Sequence, residues 1–259
     1  MTRRLPVLAA SLLLLAALGP TPARALDEPA RLRLVGERAF ADGLHAVARR
    51  ALERLVAEHP ADPGLPGTLL LLGRVRLTLG DEESALEAFR RAQALPAPGS
   101  PLEGKFWEGE TLYRLHRFAE ARAAYETVVR QDAASPVAAD AFYGLGLSEL
   151  ELQRPEAAAA AFRELLAAWP DHRLAAPATF YLARAFAELK RFSDALPLLA
   201  AFPTKYPSHR LLPDAQYLLG WARVTSGDTK QGLADLRAFV ATAPNHDLAP
   251  AARRMITET

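Results

Sequence analysis

The chain contains no cysteine, which excludes a disulfide framework, a thiolate metal site and a cysteine nucleophile. It also leaves no residue on which a bacterial lipid anchor could be built behind a leader segment. An excess of one charge is missing as well: 31 Lys and Arg face 30 Asp and Glu. A balance this close to neutral gives no general attraction to nucleic acid or to anionic lipid, so nucleic-acid binding is not expected. The phosphate-loop pattern G-x-x-x-x-G-K-[ST], a G-x-G-x-x-G following a strand, H-E-x-x-H and G-x-S-x-G are all absent, and with them the common nucleotide, zinc-protease and serine-hydrolase signatures. No catalytic residue, metal ligand or cofactor is assigned.

Long apolar runs are nearly absent too. The exception is "LPVLAASLLLLAAL", 14 residues behind Arg3 and Arg4 and ahead of Gly19, Pro20 and Pro22. It is shorter than the roughly 17 to 25 residues of a spanning helix. With the small-x-small site Ala23-Arg24-Ala25, residues 1–25 read as a secretory signal peptide. Cleavage near Ala25 predicts an exported, periplasmic protein that keeps no membrane span. Once Arg3, Arg4 and Arg24 are removed, 28 basic side chains remain against 30 acidic ones.

A fixed interval organises the rest of the chain. "WPDHRLAAPA", "YPSHRLLPDA" and "APNHDLAPAA" place His172, His209 and His246 at intervals of 37. Small residues recur in the same step, but for one interval of 36 between Ala85 and Ala121, at Ala48, Ala85, Ala121, Ala158, Ala195 and Gly232. Twelve residues before each stands another, in Gly36, Gly73, Gly109, Gly146, Ala183 and Gly220. Four residues after the first set comes a large apolar side chain: Leu52, Phe89, Tyr125, Phe162, Leu199 or Leu236. Proline follows at Pro60, Pro170, Pro207 and Pro244. Apolar residues between these marks are spaced for helices, so each repeat predicts two helices, joined near Gly43, Gly80, Gly227 or a polar equivalent and closed by the proline. Paired small residues allow two helices to cross at about 8 to 10 Å. Each pair leaves a face that the next pair covers.

Small residues at the eighth and twentieth positions, a bulky one at the twenty-fourth and proline at the thirty-second resemble the tetratricopeptide repeat, lengthened here by about three residues. The resemblance implies an all-α fold: a right-handed superhelical solenoid of about six repeats with a C-terminal capping helix. The repeats would span about 29–65, 66–101, 102–138, 139–175, 176–212 and 213–246, with a partial cap at 247–259, inside a single solenoid of 26–259. Two departures stand out. "ALPAPGSPLEG" from Ala94 suggests a hinge, and Pro203 is expected to shorten or kink its helix while Pro197 falls in that helix's first turn.

The histidine turns lie a repeat apart, too far to share one zinc, and read as turn residues that cap the next helix or pack on the proline. His45, His59 and His116 lack a carboxylate at metal-ligand spacing. Members of the family bind partner segments in the groove lined by the first helix of each repeat. Carried over, that groove contains Phe106, Tyr143, Phe180 and Tyr217 at the fifth position, with Arg74, Glu110, Leu147, Arg184 and Trp221 at the ninth. Exposed, these aromatics and arginines suit a peptide with apolar anchors and an acidic group. Alternatively the aromatics are packed between helices.

Within the family, "AQYLLGWARVTSGD" from Ala215 resembles exported bacterial modules of the Tol-Pal-associated coordinator (CpoB) and outer-membrane assembly lipoprotein (BamD) type. The resemblance implies a non-catalytic scaffold whose partner is a protein or peptide of the bacterial cell envelope. An accessory surface for a peptidoglycan-active enzyme or its glycan is the second reading.

Overall fold

The computed structural model describes residues 27–95 and 101–259. The signal-peptide reading and the centre of the "ALPAPGSPLEG" hinge fall outside them. Among the described residues there are only helices, and none is long and apolar enough to cross a membrane. The chain divides into two units at Asp62 and Pro63.

The first unit holds α1 (Glu28–Ala41) and α2 (His45–Glu58). Asp27 caps α1 by accepting the Ala30 N–H at 2.9 Å, and Leu52 and Leu55 are fully buried. Arg33 pairs with Asp62, while Arg54 spans Glu28 at 2.6 Å and Glu58 at 2.9 Å.

The second unit repeats the same helix pair. It comprises α3 (Leu65–Thr78), α4 (Glu82–Gln93), α5 (Pro101–Arg114), α6 (Phe118–Gln131), α7 (Ala138–Glu151), α8 (Pro155–Ala168), α9 (Ala175–Glu188), α10 (Phe192–Lys205), α11 (Leu212–Ser226), α12 (Thr229–Thr242) and the cap α13 (Ala249–Glu258). Each helix packs on the next, and α3, α5, α7, α9 and α11 also touch in succession. The odd-numbered helices up to α11 therefore form the tighter, inner layer of this unit. This is the all-α solenoid that the repeat interval predicts.

One contact sets the pairing. A Cβ placed on Gly73 would lie 2.4 Å from Phe89, on Gly146 2.6 Å from Phe162, and on Gly220 2.8 Å from Leu236. Each small residue thus meets the bulky residue 16 positions on, in the second helix of its own pair. Those bulky residues are buried without exception, from Leu52 at 0 % exposure to Tyr125 and Leu199 at 1 %. Burying each contributes on the order of 1.5 to 3 kcal/mol. The fifth pair keeps the logic with Ala183 opposite Leu199, an extra methyl against a side chain smaller than phenylalanine.

The turn inside each pair needs a left-handed residue. Gly43, Gly80 and Gly227 have φ of 75°, 76° and 100°, and where glycine is missing His116, Gln153 and Lys190 adopt φ of 56°, 59° and 56°. A backbone bond closes the turn, as in Arg117 N–H to Leu112 C=O at 2.9 Å and Arg154 N–H to Glu149 C=O at 2.8 Å.

Between pairs, the three histidines build one joint three times. The Nδ1 of His172, His209 and His246 accepts the backbone N–H of Leu174, Leu211 and Leu248 at 3.3, 3.2 and 3.3 Å. The histidine carbonyls accept from Ala175, Leu212 and Ala249, the first residues of α9, α11 and α13. Each ring thus braces the turn that leads into the next helix, and its Nδ1 lone pair is used there.

Pro197 falls deeper in α10 than expected, and Pro203 does not shorten the helix. Both prolines of α10 lie inside it, Pro197 beyond the first turn, and the helix keeps the same 14 residues as α8 and α12. Proline removes an N–H and crowds a carbonyl, yet Ala195, Leu199 and Phe202 anchor α10 to its neighbours. Packing overrides the local penalty.

The contact between Gly73 and Phe89 yields a paired test. Gly73→Ala lowers the denaturant midpoint, because overpacking of about 1 to 3 kcal/mol exceeds a helix-propensity gain of up to about 1 kcal/mol. Gly67→Ala, in the same helix with nothing within 4 Å of the added methyl, raises it. Equal shifts in the two variants contradict the close-contact explanation.

Candidate partner-binding groove

Two hollows open on the inner layer of the second unit. One, of about 600 Å³, lies between α5 and α7, and the other, of about 450 Å³, between α9 and α11. Every residue lining the second has a counterpart two repeats, 74 residues, earlier in the first. Phe106 corresponds to Phe180, Trp107 to Tyr181, Tyr143 to Tyr217 and Leu147 to Trp221. The same interval links Val137 to Leu211 and Leu174 to Leu248. The leucines are those whose N–H groups the histidines hold, so the joint between pairs also fixes a wall of each hollow.

Of the sequence-derived groove residues, Phe106, Glu110, Tyr143 and Leu147 line the first hollow, and Phe180, Arg184, Tyr217 and Trp221 line the second. Arg74 lies outside both, its guanidinium 5.1 Å from the centre of the Trp107 ring. The aromatic ladder divides. Phe106 and Phe180 are buried at 6 and 9 % exposure, whereas Tyr143 and Tyr217 are half-buried, packed on Phe162 and Phe239 at 5.9 and 5.8 Å between centroids. Two members of the ladder are thus packed between helices and two are half-exposed.

Sequence reasoning missed the sixth-position residues Trp107 and Tyr181. They stand one residue after the ladder, about 100° further round the helix, off the face that the fifth and ninth positions share. It also missed Tyr113, Asp140 and Asp214, at the twelfth and second positions, which a complete carry-over of the family's groove positions includes.

The electrostatics of the two hollows differ. In the first, Tyr125 passes between Gly109 and Gly144, each too close to its ring to admit a Cβ, and its hydroxyl donates to Glu110 Oε1 at 2.5 Å. Burial pushes the Glu110 carboxyl above its ordinary value, although the Tyr125 hydrogen bond and Arg114 pull the other way. Burial, with Glu151 nearby, pushes the Tyr113 phenol up to about 12. Asp140 on the rim is paired with Arg173. In the second hollow the position of Glu110 is taken by Arg184, which donates through Nε to Glu188 at 2.9 Å, and Asp214 sits 3.6 Å from His246.

A third cluster lies in the first unit. Glu28, Glu58 and His59 bring ligand atoms within 4.8 Å of one another, which corrects the reading of His59 as isolated from carboxylates. Arg54 already neutralises both glutamates, so the geometry is that of a closed charge cluster joining the start of α1 to the end of α2.

The raised Glu110 carboxyl gives a pH test with a definite sign. The folded chain holds this proton more tightly than the unfolded one, so stability is lost as pH rises from the ordinary 4.5 through the raised value. Glu110→Gln keeps an acceptor for Tyr125 and removes the titration. Its unfolding midpoint relative to the parent should improve between about pH 4 and pH 7; an unchanged difference overturns the assignment.

Known proteins bear on this geometry. The family model described as "Tetratricopeptide repeat" matches residues 36–101, 108–173, 178–209 and 214–246. No curated protein sequence matches. Among solved structures, YrrB, a TPR protein with an unusual peptide-binding site, is 21 % identical over 80 % of this chain and 100 % of its own, with a TM-score of 0.65. PilF of Pseudomonas aeruginosa is 16 % identical over 88 % of this chain and 97 % of its own, with a TM-score of 0.68. PilW, a type IV pilus biogenesis factor, is 19 % identical over 88 and 99 %, with a TM-score of 0.67. At these identities the structures establish the fold, and the family models cover most of the described repeats: the chain belongs to the tetratricopeptide repeat family.

Proposed function

We propose that this protein is a non-catalytic scaffold, exported to the periplasm, that holds a cell-envelope protein by a segment lying across the two hollows of its inner layer. The observation that carries the reading is the repetition of a whole hollow two repeats apart, walled by Tyr, Trp and Leu with charged residues at the rim. Tyr, Trp and Arg are the residues on which interface energy concentrates. A repeated hollow suits an extended or helical segment that places anchors at regular intervals. The leader-like residues 1–25 support export, and the named role of PilW in type IV pilus biogenesis, together with the peptide site named for YrrB, supports a binding role in envelope assembly.

A photo-crosslinking amino acid at Glu188, exposed on the rim of the second hollow, tests this in the exported protein, with exposed Arg237 on α12 as the control. Capture of one envelope protein at Glu188 and not at Arg237, identified by mass spectrometry, is the expected result. Equal capture at both, or recovery only of glycan fragments, overturns it.

A further inference from the structure

The two hollows match in shape and differ in charge at equivalent lining positions. Glu110 and Arg114 of the first become Arg184 and Glu188 of the second, an i, i+4 pair with its signs exchanged. The exchange is built into the packing beneath. Tyr125, which supplies the hydroxyl to Glu110, is replaced at the equivalent place by Leu199, and Gly144, which makes room for the Tyr125 ring, by Leu218. A tyrosine, a glycine and a glutamate are thus used together in one hollow, and none of the three recurs at the equivalent position of the other.

Glu110 is half-buried, with one carboxylate oxygen bonded to Tyr125, and it forms no ion pair among the described residues. The nearest fixed charges are already engaged: Asp140 holds Arg173, and Arg114 donates to the Leu77 carbonyl at 3.4 Å. Around it stand Trp107, Tyr113 and Tyr143. Aromatic rings and a carboxylate lining one hollow suit a cation, as Arg74 on the Trp107 ring, which also stacks on Phe89, illustrates within the chain. In the second hollow Arg184 is half exposed and engages Glu188 through Nε, which leaves the terminal N–H groups of its fork to meet a carboxylate.

We propose that the two hollows read opposite charges on one bound segment, Lys or Arg in the α5–α7 hollow and Asp or Glu in the α9–α11 hollow. This rests on the groove reading above and adds a polarity to it. Two repeats separate the hollows by roughly 20 Å at one helix-pair width each. The two charges therefore lie about six residues apart in an extended partner, or about 13 apart in a helical one.

The chain's three tryptophans provide a site-resolved test. Trp107 lines the first hollow and Trp221 the second, while Trp169 packs on Phe142 and lines neither. Two capped pentapeptides, Ala-Leu-Lys-Leu-Ala and Ala-Leu-Asp-Leu-Ala, are titrated into the full chain while the three indole N–H signals are followed by NMR. The lysine peptide should half-saturate the Trp107 shift at a concentration at least about fivefold lower than the aspartate peptide, with the order reversed at Trp221 and Trp169 unmoved. Glu110→Gln should bring the two peptides to within about twofold at Trp107 and leave Trp221 unaffected; Arg184→Gln should do the converse. If both peptides move Trp107 and Trp221 with equal half-saturation, the charge reading falls and the groove stands. If neither signal moves with either peptide, the groove reading falls and takes this one with it.

Discussion

The structure depends on one close approach, that of a small residue in the first helix of each pair to a bulky side chain 16 residues later in the second. Glycine at Gly73, Gly109 or Gly146 is required because a ring from the partner helix occupies the space where a Cβ would stand. The ring in turn is buried because the helix opposite has nothing there to hold it away. Helices so close leave little freedom in the angle between them. The left-handed turn residue then needs only to reverse the chain, and glycine, histidine, glutamine and lysine all serve there.

A fixed pair geometry has a consequence for function. The inner layer of the second unit presents the same hollow at α5–α7 and again at α9–α11, and chemical difference between them comes from substitution at equivalent positions. Glu110 and Arg184 are such substitutions, as are Leu147 and Trp221. The histidine joint links the two levels, because the N–H that its ring holds belongs to the leucine lining the hollow. A repeat protein whose fold serves protein–protein interaction can in this way keep its framework constant while individual hollows change.

Much of the framework was legible in the sequence because it is periodic. The helix pairs, the turns and the repeated His-x-Leu joint all recur at 37 residues, and each is decided by interactions within one or two repeats. What was not legible depends on contacts between helices. Trp107 and Tyr181 reach the hollows from a position one residue past the expected face, and Tyr125, marked by its position as a core residue, has a hydroxyl that extends to Glu110. The cluster of Glu28, Glu58 and His59 joins residues about 30 apart that share no pattern. Pro203 misled because its local cost is visible in sequence and the packing of Leu199 and Phe202 that outweighs it is not.

The natural pair Ala183 and Leu199 points to the most direct measurement: a double-mutant cycle on Gly146 and Phe162, followed by denaturant unfolding. Gly146→Ala places a methyl 2.6 Å from the Phe162 ring, and Phe162→Leu alone opens a cavity, so each should lower the midpoint. Together they recreate the alanine and leucine of the fifth pair, and the combined loss should be smaller than the two single losses added, by about 1 kcal/mol or more. Additive losses would show that the small residue and the ring act independently, and would contradict the contact on which the rest of the architecture depends.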